Sequence, residues 1–229
     1  MEMLSNLAVG LATWAIPIFI AITFHEAAHG YAAYRLGDNT AKLAGRLSLN
    51  PVRHIDPFGT ILLPIILLLL GGVIFGYAKP VPVNSNNFKS PRPHMAIVAA
   101  AGPLSNLILA VIGGLLIYTA AIFPDFLSNW WVTNLSNFIF INCLLVALNI
   151  IPLPPLDGSR IVSGILPDNL ARQYNRIEPY GLLILVGVIF VLPMAGRIVG
   201  LNLDLARVLV LQPAQTLYDG VLMIVGFGI

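Results

Sequence analysis

Hydrophobic positions in this chain come in long, nearly unbroken blocks. Leu7–Phe24, Thr60–Tyr77, Met95–Phe123, Trp130–Ile151 and Gly181–Met194 contain no Asp, Glu, Lys or Arg, and Leu209–Ile229 is a weaker block broken by Pro213 and Asp219. A bilayer has ~30 Å of hydrocarbon and is crossed by about 20 apolar residues in a helix. The pattern therefore predicts an all-α polytopic membrane protein with about five to six transmembrane helices. Leu4–Leu36 reads as one long helix, kinked where Pro17 removes a backbone donor and ended by Gly37-Asp38-Asn39. Lys42–Leu49 alternates and predicts a short strand. Ala78–His94 holds four prolines and excludes a regular helix. Three prolines between Pro152 and Pro155 predict extended backbone leading to Asp157.

Composition agrees with the pattern. The chain is 58% hydrophobic and 10% charged, against about 25% charged in soluble domains. No polar stretch is long enough for a second domain, so residues 1–229 read as one integral-membrane unit, with a core over about 4–160 and closing helices over about 176–229. The net charge of +2 is too small to argue for a nucleic-acid partner. Cys143 is the single cysteine, so no disulfide forms within the chain.

Charge placement adds a topology. Glu2 alone precedes the first block, whereas Arg35, Lys42, Arg46 and Arg53 follow it. The positive-inside rule puts the N-terminus outside and the end of the first helix at the cytoplasm. If Phe58–Tyr77 spanned, Lys79, Lys89 and Arg92 would be exported. Pro64 and Gly71-Gly72 suit a break, so this block is expected to be re-entrant or membrane-embedded. Pro124-Asp125 then lies outside, and Arg160, Arg172 and Arg176 lie inside.

The chemistry sits at the end of the first block, in "FHEAAHG". His25 and His29, four residues apart, project from one helical face. Two such imidazoles can share one zinc ion, and Glu26 beside them can take a proton from an attacking water. Idle ionisable groups at membrane depth cost several kcal/mol, ~2.5–3.5 for an acid on insertion scales, which argues for a site. A catalytic zinc takes three protein ligands. Asp157, His54, Asp56, His94, Glu178 and Asp168 are the candidates for the third. Asp157 stands out because a rigid proline run holds it, although an aspartate before "GSRIVSGIL" also suits a helix N-cap.

Taken together, "FHEAAHG", "AGPLSN" and "NIIPLPPLDGSR", in that order, resemble the site-2 protease family of intramembrane zinc metalloproteases. The resemblance covers roughly Ile16–Arg160, and "LNPVRHIDPFGTILLP" is similar to its compact branch, which carries no PDZ or CBS domain. It implies one Zn2+ per chain on His25, His29 and Asp157, with Glu26 as general base. It also implies that Asn149 faces the site, where its carboxamide can donate to the oxyanion; the competing reading of Asn149 is a helix C-cap. The implied substrate is a single-span membrane protein, cut in or near its transmembrane segment. The implied location is a prokaryotic cell membrane, with the site toward the cytoplasm. The extended Leu153–Asp157 segment or the loop after Gly37 is expected to pair with an unwound substrate strand. His54 and Asp56 read as interfacial residues, with gating or ligand orientation as alternatives. A transporter or an inactive metal-binding member is the runner-up, against which stand the absence of a repeat and the presence of Glu26.

Overall fold

A computed structural model describes residues 2–62, 79–198, 200–201 and 203–227. Most of the block Phe58–Tyr77 lies outside the described residues. Every regular element described is helical. The long ones are α1 (Glu2–Arg35), α3 (Pro91–Ile117) and α4 (Asp125–Asn149). Short helices accompany them: α2 (Thr40–Leu43), α5 (Asp157–Ile165), α6 (Asp168–Tyr174), α7 (Glu178–Val186), α8 (Leu192–Ile198) and α9 (Gln212–Ile224). Three helical stretches among the described residues are long and apolar enough to cross a membrane: Pro91–Ile122, Asp125–Asn149 and Asp168–Gly196.

The apolar blocks become helices because only intrasegment hydrogen bonds satisfy the backbone without water. Packing among them rests on small residues, since lipid gives no hydrophobic drive for helix to meet helix. α3 is the central post, in contact with α1, α4, α5 and α9. Its buried stripe includes Ala99, Gly102, Asn106, Ala110, Gly113 and Gly114. Phe138 and Ile139 of α4 fill the notch at Gly113, and Val221 and Val225 fill the one at Gly114. Ala110, Ile139, Cys143 and Val221 form one buried cluster across these helices.

Three local expectations change. α3 begins at Pro91, inside the segment Ala78–His94 expected to hold no regular helix, because the first helical turn needs no intrahelical N–H donor and tolerates proline. Lys42–Leu49 forms no strand: Thr40–Leu43 is a helical turn, and Gly45, at φ 65°, redirects the chain. Alternation over so few residues cannot outvote a turn whose amides Leu43 and Ala44 already bond to Asn39 and Thr40. The proline run is also not extended. Leu153 N–H donates to Ile151 O and Leu156 N–H to Leu153 O, which closes two successive turns. Gly158 then lies so close to the carbonyls of Ile150 and Ile151 that a Cβ there would overlap them. The fold thus lowers Asp157 onto the site by coiling the segment.

Asp38, missed as a candidate in the sequence, braces the polar cap. It is fully buried. Its Oδ1 accepts from Thr40 N at 3.0 Å and Asn87 Nδ2 at 2.7 Å, and its Oδ2 accepts from Asn84 N at 2.7 Å. Burial opposes ionisation, but the hydrogen bonds from Thr40, Asn84 and Asn87 outweigh it and hold the carboxyl below its ordinary range. One carboxylate therefore ties the turn after α1 to the loop before α3. Lys79–Asn84 lies over the end of α1 as a result.

Candidate active site

His25, Glu26 and His29 lie more than six turns into α1, where the helix meets α3 between Val98 and Asn106. His29 Nδ1–H donates to the backbone carbonyl of Val98 at 2.8 Å. His25 Nδ1 lies 2.6 Å from Asn106 Oδ1. Between these anchors Gly102 leaves room for both rings: a Cβ there would lie 2.5 Å from His29 Cε1 and 2.6 Å from His25 Cε1. The two Nε2 atoms approach to 3.1 Å.

Asp157 completes the cluster. It is the first helical residue of α5, and Leu156 occupies the N-cap position, so the N-cap reading gives way. Its Oδ2 lies 3.2 Å from His25 Nε2 and 3.3 Å from His29 Nε2. The three side chains are 9%, 13% and 14% exposed, and their ligand atoms all fall within 4.8 Å of one another. In the neutral rings, a proton on each Nδ1 leaves both Nε2 atoms with bare lone pairs. The buried Asp157 Oδ2 has no hydrogen-bond donor. Three lone pairs aimed at one point repel unless a cation lies among them. Two imidazole nitrogens and one carboxylate oxygen are ligand types that zinc takes, so the donor set fits that ion.

Glu26 faces the same cleft, of ≈370 Å³, which Pro80, Val81, Asn149 and Arg160 also line. Val81 N–H donates to Glu26 Oε2 at 2.9 Å. Asn149 is the last residue of α4 and donates from Nδ2 to Leu145 O at 3.0 Å. It has no positive φ, so it is not a left-handed C-cap.

The other third-ligand candidates lie elsewhere. His54 is 2% exposed and pairs its Nε2 with Ser48 O at 2.8 Å. Asp56 Oδ1 accepts from Phe58 N and Gly59 N, at the start of a short π-helical turn, Pro57–Leu62. The His94 ring packs edge-on against Phe88, Asp168 pairs with Arg92 at 2.8 Å, and Glu178 is exposed at the start of α7. Sequence reading also missed Asn106 and Asn142, which are fully buried and bonded to each other. Asn106 closes the "AGPLSN" motif, whereas the signal at Asn142 was an amide inside an uncharged block.

Helices of spanning length around a His–His–carboxylate centre, with a glutamate beside it, define the class of membrane metalloproteases. The chain belongs to peptidase family M50, the site-2 protease family: the family profile described as Peptidase family M50 matches residues 13–129. It is 39% identical over 211 residues to a Bacillus subtilis protein named "Putative zinc metalloprotease YwhC", a match spanning 90% of this chain and 93% of that one. Two proteins named "Putative zinc metalloprotease Rip2" are also similar. The Mycolicibacterium smegmatis one is 29% identical over 78% of this chain and 66% of its own length. The Mycobacterium tuberculosis H37Rv one is 28% identical over 76% of this chain and 64% of its own. No solved structure matches the chain.

Proposed function

We propose that this protein is an intramembrane zinc endopeptidase that hydrolyses peptide bonds within or near the transmembrane segments of single-span membrane proteins. The observation that carries the reading is the convergence of His25, His29 and Asp157 beside Glu26 in one cleft. His25, His29 and Asp157 would hold one zinc ion. Zinc, when bound, supplies a Lewis acid that polarises the scissile carbonyl and acidifies water.

The chain's own residues do the rest. Glu26 takes the proton of the attacking water and returns it to the leaving amine. Asn149 Nδ2, with one hydrogen on Leu145 O, keeps the other for the developing oxyanion. The bond from Val81 N–H fixes which carboxylate oxygen of Glu26 is free to act. Pro80 and Pro82 offer no N–H, so that edge cannot complete a ladder with a substrate strand. The turned backbone of 150–156 also removes one of the expected pairing edges. A substrate strand is left the loop after Gly37, or hydrogen bonds from side chains.

In the proposed topology the uncharged run of α1 also spans, with the N-terminus outside and the site near the cytoplasmic face of a prokaryotic membrane. Phe58–Tyr77 then returns to the face it left. Lys79 N–H donating to His54 O at 3.0 Å supports this, because the two flanks of that block meet. The contact of α1's last turns with α3's first turns supports it too.

The test is cleavage of a single-span substrate by purified protein, with and without a zinc chelator. Chelator-sensitive cleavage that returns with added zinc is expected. Cleavage indifferent to chelator overturns the reading.

A further inference from the structure

We infer that Asn106 and Asn142 form a polarised amide relay that sets the tautomer and ring orientation of His25, as positioning residues for the metal site. The inference rests on the zinc reading above and adds the device that presents one of the ligands.

The relay begins at a group with no choice. The backbone carbonyl of Phe138 can only accept, and Asn142 Nδ2 donates to it at 2.7 Å. Asn142 Oδ1 therefore faces the other way and accepts from Asn106 Nδ2 at 2.8 Å. The second Nδ2 hydrogen of Asn106 goes to Ala21 O at 3.1 Å, again a group that can only accept. Both hydrogens of Asn106 are thereby assigned, and its Oδ1 must face His25 Nδ1 at 2.6 Å. An acceptor at that distance requires a proton on Nδ1, which in the neutral imidazole leaves Nε2 bare. Flipping either amide would set two acceptors against each other, at Ala21 O or at Phe138 O. Both asparagines are 0% exposed, so no bulk water can mend a flipped amide.

His29 needs no relay, because Val98 O acts on its Nδ1 directly. At His25 the nearest available partner is a side chain, which has two faces. Ala21 O and Asn142 Oδ1, the latter from α4 and 36 positions along the chain from Asn106, together remove that ambiguity. Partners behind a metal-bound histidine fix its ring and tautomer, and their loss typically costs about 10–100-fold in metal affinity.

The experiment measures zinc affinity of the full-length chain in detergent by chelator competition. Asn106→Leu, close in size but without an acceptor, should bind zinc about 10–100-fold more weakly. Asn106→Asp keeps an acceptor for His25 Nδ1 but sets its other oxygen against Ala21 O and Asn142 Oδ1, so it should bind zinc more tightly than Asn106→Leu while recovering only part of the loss. Asn142→Leu should weaken binding less than Asn106→Leu, because Asn106 keeps its anchor on Ala21 O. Asn134→Leu, which removes a buried amide outside the relay, should leave affinity unchanged. Histidine nitrogen-15 shifts of the zinc-loaded parent should show His25 protonated at Nδ1 and ligating through Nε2. This readout decides the matter even if Asn106→Leu fails to fold. Equal zinc affinity in parent and Asn106→Leu, or a His25 protonated at Nε2, overturns the relay. A parent that binds no zinc would overturn the zinc reading instead.

Discussion

Gly102 is where a single hydrogen atom matters most. A methyl group there must displace two imidazoles that Val98 O and the Asn106 carboxamide hold in place. Neither ring can turn away without stranding a buried partner. Gly102→Ala should therefore lose most zinc while the helices stay folded, which metal analysis alongside circular dichroism would reveal; full zinc occupancy would refute this steric reading. Glu26→Gln keeps the size of the side chain and its acceptor for Val81 N–H, but cannot carry a proton. It should retain zinc and lose cleavage, and turnover at the parent rate would remove Glu26 as the base. Asn149→Ala should slow cleavage on the order of 10²–10³-fold if its second hydrogen meets the oxyanion, with zinc still bound. A change of a few fold would leave Asn149 as a helix-end residue only.

At the scale of elements, the polar cap depends on one carboxylate. Asp38 joins the turn after α1 to Asn84 and Asn87, and that join lays Val81 on Glu26. Its pKa is held below the ordinary value by those bonds. The unfolded chain has the ordinary value of ~3.9, so the brace contributes its full stability above that pH. The contribution falls away as pH drops through the lower folded value. Hydrogen exchange at the Asn84 amide should accelerate in that acid range. In Asp38→Asn it should already be fast at neutral pH, because an amide hydrogen would then face a backbone N–H. Slow exchange in that variant would show that the brace does not hold the loop. The same element shows what a pattern misses: the prolines of "PVPV" say only that no regular helix forms there, yet the segment supplies the donor that orients Glu26.

For the whole molecule, the arrangement ties topology to chemistry. α1 brings its histidines in at its end, α3 meets them at its beginning, and α4 ends beside them at Asn149. All three ends therefore belong to one side. Cysteine probes at Asn39 and Ser85, on a Cys143→Ala background, should label from the same face, as the shared Asp38 bonds require. Labelling from opposite faces would contradict both the cap and the re-entrant path.

What the sequence settled by itself was whatever depends on local order. Long uncharged blocks, near the length that crosses a bilayer, dictate helices, because no other open structure satisfies a backbone in lipid. Four-residue spacing puts His25 and His29 on one face of a helix, and Glu26 is then beside them by geometry. Asp157 could only be ranked, because closing 128 residues of chain onto α1 is not encoded in any short window. Tertiary structure brings it to the two histidines, by coiling 150–156 and seating α5 against α3. It also decided what Asn106, Asn142, Asp38 and Val81 do. Each of these acts through a partner at least 36 positions away. Their hydrogen bonds exist only once helix packing has removed the water that would otherwise satisfy them.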